Sequence, residues 1–318
     1  MSRVLLTGAN GFVGLVLGPL LRSEHFHVVA LTGPQGCMPA YAHEHLPCDI
    51  RDAEALAQAV RMARPDYVVH LAAQANVASS FQDQARTWQA NLVGSLNLLD
   101  ALQRHARDAF VLFASSSEVY GDSFKLGVPL DEGVRCQPLN PYAASKLAAE
   151  VVFNEYFRQG MRGVIARPFN HIGAGQSESF AMASFARQIA LIEAGQQPPV
   201  LKVGNLDACR DFLDVRDVCR AYLSLLQLGA RRGEYSRCFN IASGASQSMR
   251  HMLDRLLAES ALEIQVEQDP VRMRPSDIPV ALGDSARLCR ETPWRPVFSL
   301  DETCRTILDD WRARIAQA

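Results

Sequence analysis

Tyr142 and Lys146 are the two residues of this sequence best suited to proton transfer. They stand four positions apart in a segment with a helical pattern, so their side chains share one helix face. A lysine ammonium stabilises a nearby phenolate and lowers the tyrosine pKa from about 10 towards the working pH, where the phenol can exchange a proton. Lysine is scarce in this chain. A tyrosine followed four positions later by a lysine is therefore expected only about 0.07 times by chance.

Three consecutive serines, Ser115, Ser116 and Ser117, follow an apolar segment at residues 110–114 that is typical of a buried strand. A hydroxyl at the carboxyl end of a strand can polarise a substrate carbonyl or the corresponding alcohol. The serines and the tyrosine–lysine pair together indicate chemistry at a carbonyl group.

A glycine-rich loop with the sequence TGANGFVG occupies residues 7–14, after the first predicted strand and before the first predicted helix. Gly8 allows a tight turn, Gly11 lets a diphosphate approach the backbone, and Gly14 permits close helix–strand packing. The helix N-terminus favours the negative charge of that diphosphate. Three glycines alone are also compatible with a simple tight turn, but the strand and helix around them favour a dinucleotide site.

The end of the second predicted strand bears on which dinucleotide is bound. Residues 31–34 read Leu-Thr-Gly-Pro, without the acidic residue that usually holds the ribose hydroxyls of NAD. No arginine stands within residues 32–38 to bind a 2′-phosphate. We therefore expect NADP(H) to be favoured, with NAD(H) as the alternative.

The elements that must position these residues alternate between strands and helices. The predicted strands are residues 4–6, 28–31, 67–71, 110–114 and 163–166, and the helices between them are residues 14–23, 53–63, 84–105 and 142–159. This order predicts an α/β protein with a doubly wound parallel sheet, a Rossmann fold. We assign residues 1–170 to a dinucleotide-binding domain, to which residues 211–243 return. Residues 171–210 and 244–318 form a smaller, discontinuous substrate domain.

Composition excludes several other classes of protein. Apolar residues make up 48% and charged residues 21% of the 318 residues, as in an ordinary globular protein. A net charge of -2 gives no basic surplus for nucleic acid or an anionic membrane, and no apolar run is long enough to span a bilayer. The eight cysteines include no CxxC pair, so we expect reduced thiols, no metal site and a cytoplasmic location.

These motifs together resemble the extended short-chain dehydrogenases/reductases, in the family of NAD-dependent epimerases and dehydratases. The resemblance covers almost the whole chain. It implies Ser116, Tyr142 and Lys146 as the catalytic set, with Asn91 supporting the proton path of Lys146. The cofactor residues that it implies are Gly8, Asn10, Gly11, Phe12, Val13, Gly14, Asp49, Ile50, Leu71, Ala72, Ala73, Asn91, Tyr142, Lys146 and Pro168.

The second half of the chain is similar to the GDP-sugar branch of this family, and most closely to its GDP-6-deoxy-4-keto-mannose reductases. The similar segments are residues 167–173, 204–217 and 274–277. The resemblance implies reduction of the C4 ketone of GDP-4-dehydro-6-deoxy-D-mannose to GDP-D-rhamnose. Arginines in loops suit a diphosphate, and the expected substrate contacts are Ser116, Asn170, Lys202, Arg210 and Arg274.

Other functions remain open at this stage. Glu118 stands where the related GDP-mannose 4,6-dehydratases keep the base that eliminates water, so it is a further catalytic candidate and favours a dehydratase as the alternative. A nucleotide-sugar epimerase would also recycle its cofactor. A sensor that binds NAD(P) without turnover is disfavoured, because Tyr142 and Lys146 are both present.

The segments at residues 84–105 and 142–159 carry apolar residues on more than one helix face. One face must cover the sheet, and the remainder is available to a partner. Related enzymes pair these helices into a four-helix interface, so the resemblance implies a homodimer.

Overall fold

The centre of the molecule is a parallel sheet of seven strands. The computed structural model describes residues 1–230, 237–273 and 278–317. In spatial order the strands are β3-β2-β1-β4-β5-β6-β10, and every neighbouring pair is parallel. Their bounds are β1 Arg3–Thr7, β2 His27–Thr32, β3 Glu44–Pro47, β4 Tyr67–His70, β5 Phe110–Ala114, β6 Arg162–Pro168 and β10 Cys238–Ile241. The strand order reverses between β1 and β4, where a doubly wound fold opens its ligand crevice.

Helices cover both faces of this sheet, which confirms the predicted fold class. They are α1 Phe12–Ser23, α2 Ala53–Ala63, α3 Val77–Gln82, α4 Gln84–Trp88, α5 Gly94–His105, α6 Pro141–Arg158 and α8 Val215–Gly229. One apolar core lies between the sheet and α1 with α8, and the other between the sheet and α2, α5 and α6. The longer helices α2 and α8 bury their apolar residues against the sheet, as their periodicity predicts.

Along the chain, β6 leads into a second, smaller sheet. It joins β7 Asn170–Ile172, β9 Cys209–Asp214, β11 Ser246–Ser248 and β13 Val280–Ala281. A two-stranded sheet of β8 Val200–Val203 and β12 Gln265–Gln268 accompanies it, and α7 Ala181–Glu193, α9 Met249–Ala258 and α11 Leu300–Ala316 surround a third apolar core. The remaining helix, α10 Ala286–Glu291, packs against β10. Leu288 and Trp294 belong to the core of the large sheet, although the sequence pattern assigns them to the substrate domain.

The long helix predicted at residues 84–105 is interrupted. Between α4 and α5 the backbone makes a π-helical turn at Gln89–Val93, and Asn91 is buried within it. A π turn inserts one extra residue into the α-helical ladder and occurs frequently at functional sites. None of the helices in the described ranges is long and apolar enough to cross a membrane.

Candidate active site

The glycine loop joins β1 to α1 at the carboxyl edge of the large sheet. Gly8 has a φ of +70°, and a Cβ there would lie 2.8 Å from the backbone nitrogen of Ala72. A Cβ on Gly14 would lie 2.5 Å from the carbonyl oxygen of Gly8. Both positions therefore need glycine for the fold of the loop itself.

Gly11 differs from the other two loop glycines. A Cβ on Gly11 would meet only the carbonyl oxygen of Gly8, at 3.1 Å, which a small adjustment can accommodate. Gly11 is also the N-cap residue of α1, and no side chain in the described residues caps this helix. The first amides of α1 are thus free to bind an anion from outside the chain.

A chain of buried hydrogen bonds runs from this loop across the sheet. The backbone N–H of Ala72 donates to Thr7 Oγ1 at 3.1 Å, and Thr7 Oγ1 lies 2.8 Å from Nδ1 of His70. The other ring nitrogen, Nε2, lies 3.1 Å from Ser95 Oγ, which donates to the carbonyl oxygen of Asn91. Burial and the charge of Lys146 lower the pKa of His70 to about 3, so the imidazole is neutral near pH 7.

Asn91 continues this connection towards α6. Its Nδ2 donates to Ser145 Oγ at 2.9 Å, and Ser145 Oγ donates to the carbonyl oxygen of Tyr142 at 2.7 Å. Its Oδ1 accepts from the backbone N–H of Gln74. These contacts fix Asn91 between the segment after β4 and α6, the helix that carries Lys146.

Ser116, Tyr142 and Lys146 meet at the carboxyl end of β5. The side chains of Ser116 and Tyr142 are hydrogen-bonded to each other. Lys146 Nζ donates to the carbonyl oxygen of Ala114 at 2.7 Å and lies 5.0 Å from the centre of the Phe113 ring. The helix α6 places Tyr142 and Lys146 on one face, and both side chains are buried.

The electrostatics of this set differ from the expectation. Burial raises the pKa of Tyr142 to about 12, the Ser116 hydrogen bond opposes the rise, and the charge of Glu118 adds to it. Burial also lowers the pKa of Lys146 to about 8. The net shift of the Tyr142 pKa is therefore upward, whereas the sequence predicts a downward shift, because burial dominates and the Lys146 ammonium is bonded to the Ala114 carbonyl. The phenol is protonated at neutral pH and is set to donate its proton.

Glu118 approaches the same site from the short 3₁₀ turn after β5. Its carboxylate accepts a hydrogen bond from Asn140 Nδ2 at 3.0 Å, and the Asn140 side chain also caps α6. Arg210 comes from β9 of the smaller sheet. Burial lowers its pKa, and the Glu118 carboxylate opposes that effect, so the two groups lie within electrostatic range. The site therefore lies between the two sheets.

The comparisons with known proteins agree with this geometry. A family model described as GDP-mannose 4,6 dehydratase matches residues 5–307. The chain belongs to this family. It is 40% identical over 99% of both chains to a GDP-6-deoxy-D-mannose reductase of Pseudomonas aeruginosa, and 28% identical to a GDP-mannose 4,6-dehydratase of Sinorhizobium fredii, over 96% of this chain and 95% of that one.

A solved structure of RMD from Pseudomonas aeruginosa complexed with NADPH is similar to the whole fold of this family member. The TM-score is 0.87, with 39% sequence identity over 99% of this chain and 100% of the other. The similarity therefore includes the crevice at the carboxyl edge of the large sheet and the smaller sheet beside it.

Four further residues expected to bind cofactor or substrate lie at different places in the fold. The Asp49 carboxylate is engaged by its neighbour Arg51, at 2.6 Å. Ile50 packs against Gly94 of α5, and Pro168 is the buried end of β6. Asn170 begins β7 and is half-buried.

The expected substrate residues further along the chain are spread across the second sheet system. Lys202 has an exposed side chain on β8, and its backbone pairs with the side chain of Gln188. Arg210 Nη1 donates to the carbonyl oxygens of Cys209 and Ile278. Arg274 lies outside the described residues.

Sequence reasoning did not assign Thr7, His70 and Ser145 to this site. Thr7 begins the glycine-rich loop, and His70 directly precedes the Leu71–Ala73 segment that the family resemblance assigns to the cofactor. Their positions in the sequence therefore pointed to the site. Ser145 lies between Tyr142 and Lys146, and its role depends on a partner 54 residues earlier in the chain. No local pattern contains that partner.

Proposed function

We propose that the protein is an NAD(P)H-dependent oxidoreductase that reduces the C4 ketone of GDP-4-dehydro-6-deoxy-D-mannose to GDP-D-rhamnose. The observation that carries this proposal is the 40% identity to a GDP-6-deoxy-D-mannose reductase over 99% of both chains. The protonated phenol of Tyr142 supports it, because a ketone reduction requires a proton donor.

The glycine loop fits a dinucleotide cofactor. The uncapped amino end of α1 offers backbone N–H groups to a diphosphate, and Gly11 leaves the space in front of them open. We assign the cofactor to this loop, to Leu71–Ala73 beside it, and to Ile50, with Pro168 near the nicotinamide. When bound, the reduced nicotinamide supplies the hydride.

NADP(H) is the favoured cofactor in this proposal, and NAD(H) is the alternative. Residues 32–38 contain no carboxylate that would repel a 2′-phosphate, and Thr32 is bonded instead to His45. The similar RMD structure contains NADPH. The ratio of kcat/KM for NADPH and NADH with the same 4-keto sugar measures this preference.

The residues of the site divide the chemistry between them. Tyr142 donates its phenolic proton to the C4 oxygen as negative charge develops there. Ser116, hydrogen-bonded to Tyr142, orients that oxygen. Lys146 contributes a buried positive charge that favours the phenolate left after the transfer.

The nucleotide-sugar would lie between the two sheets in this proposal. Arg210 is half-buried within electrostatic range of Glu118, and its guanidinium offers the donor geometry that suits a diphosphate. Asn170 and Lys202 are the other assigned contacts. The proposal keeps a cofactor domain of residues 1–170 and 211–243 and a substrate domain of residues 171–210 and 244–318. The strand β9 crosses the boundary at residue 211 and belongs to the smaller sheet.

The proposed reaction is tested by mixing the purified protein with NADPH and the GDP-linked 4-keto-6-deoxy sugar. We expect one equivalent of NADPH to be consumed for each sugar reduced, measured from the absorbance of the reduced nicotinamide. GDP-mannose, which has no ketone, is the control substrate. Absence of NADPH consumption with the 4-keto sugar, under conditions in which NADPH binds, would refute the proposed function.

A 4,6-dehydratase is the second candidate function, and the position of Glu118 favours it. This carboxylate is close enough to Tyr142 to influence its pKa, and elimination of water requires a base. The two functions predict different results for Glu118→Gln. A dehydratase would lose nearly all conversion of GDP-mannose, whereas a reductase would keep a substantial fraction of its NADPH consumption.

We also propose a homodimer and a cytoplasmic location. Val93 and Val151 are exposed at 42% and 64% on adjoining helical segments, which supports a partner on this face. Leu99 and Phe157, on the same two segments, pack into the core, so the apolar residues of these helices divide between the core and the exposed face. All eight cysteines are free thiols, as expected in a reducing compartment.

A further inference from the structure

Behind the catalytic side chains lies a buried ion pair between Glu150 of α6 and Arg167 of β6. Arg167 Nε is 2.9 Å from Glu150 Oε1, and Nη2 is 2.6 Å from Oε2, so the contact is two-pronged. Glu150 is 2% and Arg167 is 7% exposed. Glu150 stands one helical turn after Lys146 and therefore on the same face of α6.

This pair is bonded to the segment that carries Ser116 and Glu118. Ser115 Oγ, immediately before Ser116, donates to Glu150 Oε1 at 2.5 Å. Arg167 Nη1 donates to the phenolic oxygen of Tyr120, two residues after Glu118, at 3.0 Å. The turn is thus held at both ends by the same ion pair.

The contacts extend from there to the edge of the large sheet. Tyr120 donates to Asn240 Oδ1 on β10 at 2.8 Å, and its ring lies 5.0 Å from the Arg167 guanidinium carbon. The pair and its partners therefore connect α6, the end of β5, β6 and β10.

A buried ion pair is weak grounds for stability, because desolvation of both charges offsets most of their attraction. The placement of this pair gives it a different role. We propose that Glu150 and Arg167 are positioning residues, which hold the Ser116–Glu118 turn against α6 and keep a negative charge beside the Lys146 ammonium. The proposal rests on the reductase function proposed above.

The effect of Glu150 on Lys146 depends on which other charged and titratable groups surround the ammonium. Glu150 and Tyr142 face it from α6 and His70 from β4, while β5 contributes the Phe113 ring and the Ala114 carbonyl. His70 is neutral near pH 7. Glu150 is thus the anion that opposes the effect of burial on the Lys146 pKa.

The direct test is Glu150→Gln, which preserves shape and removes the charge. We expect the Lys146 pKa to fall by about one unit, because the variant removes one negative charge that stands one helical turn away in a partly polar interior. The chain has only three lysines, so the lysine side-chain NMR signals can be titrated and assigned with Lys146→Met. This readout does not depend on substrate, and so it distinguishes failure of this inference from failure of the proposed function.

Turnover gives the second readout. In Glu150→Gln we expect the decline of kcat at high pH to begin about one pH unit lower than in the parent protein. We also expect kcat near neutral pH to fall at least tenfold, with little change in the KM for NADPH. The matched control is Asp217→Asn, which removes another buried, ion-paired carboxylate, that of the Asp217–Arg220 pair on α8. It should lose stability without any shift of the Lys146 titration.

A folded Glu150→Gln protein with an unchanged Lys146 titration and unchanged kcat would overturn the proposal. If Glu150→Gln does not fold, Ser115→Ala provides the test, because it removes one bond to the pair and leaves the charge. We expect Ser115→Ala to lower kcat several-fold without changing the pH at which kcat declines on the alkaline side. A kcat equal to that of the parent protein would then refute the positioning role.

Discussion

Replacement of Tyr142 by phenylalanine tests the proposed chemistry most directly. The ring of Tyr142 is buried at the start of α6, and phenylalanine keeps that packing. The substitution removes the hydroxyl and its hydrogen bond to Ser116. Loss of one such bond costs about 1 kcal/mol of stability, so Tyr142→Phe should remain folded at ordinary temperatures.

The loss of rate should be much larger than the loss of stability. With its pKa raised to about 12, the Tyr142 phenol is protonated throughout the neutral range and can donate at every turnover. A positioned general acid contributes about 10²- to 10⁴-fold, which corresponds to about 3 to 5 kcal/mol of the barrier. We expect kcat to fall by that factor, and the dissociation constant for NADPH to change little because the glycine loop is unaltered.

The assay is NADPH consumption with the GDP-linked 4-keto sugar, combined with NADPH binding followed by fluorescence. Tyr156→Phe is the control, because it deletes a phenol on the same helix that bonds to Asp100 rather than to Ser116. It should keep the parent rate. If Tyr142→Phe consumed NADPH at the parent rate while binding it normally, the assignment of Tyr142 as proton donor would be incorrect.

Four further predictions concern the cofactor loop, pH and assembly. Gly11→Val should fold but lose NADPH affinity in a binding titration, since its side chain would occupy the space in front of α1. Turnover should fall about tenfold per pH unit above about pH 8 as Lys146 loses its proton, and a flat profile would contradict this. His70 has a folded pKa of about 3 against about 6.5 when unfolded, so the unfolded chain takes up the extra proton. His70 should therefore lower the free energy of unfolding by up to about 1.4 kcal/mol per unit as pH falls below 6.5, and His70→Gln should reduce the slope in urea titrations by that share. Light scattering at micromolar concentration should give the mass of a dimer, and a monomer would count against the interface proposed at residues 84–105 and 142–159.

The large sheet was predictable from the sequence because its strands are buried on both faces. Continuous apolar runs at β1, β2, β4, β5 and β6 gave their positions to within two residues. The strand β3, Glu44–Pro47, carries charged and polar residues at the edge of the sheet and has no such run. The strands of the smaller sheet were missed because they are short and half-buried, and their pairing depends on partners far along the chain.

The sequence predicted that the residues of the candidate site lie together, but it did not predict the direction in which the pKa of Tyr142 shifts. The spacing of Tyr142 and Lys146 gives a shared helix face, and the structure has that face. Spacing does not show how completely both groups are buried, or that the ammonium is bonded to the Ala114 carbonyl. The contact between Glu150 and Arg167 likewise depends on how α6 lies against β6.

The tyrosine pKa also bears on the direction of the reaction. A dehydratase or epimerase cycle begins by oxidising an alcohol, so Tyr142 must first be a phenolate that accepts a proton. Burial raises the pKa of Tyr142 to about 12 and so disfavours the phenolate from which such a cycle starts. A reduction begins instead from the protonated phenol, which burial favours, and forms the phenolate only as the C4 oxygen takes the proton. The charge of Glu118 raises the same pKa further, so the carboxylate that would serve an elimination also disfavours its first step.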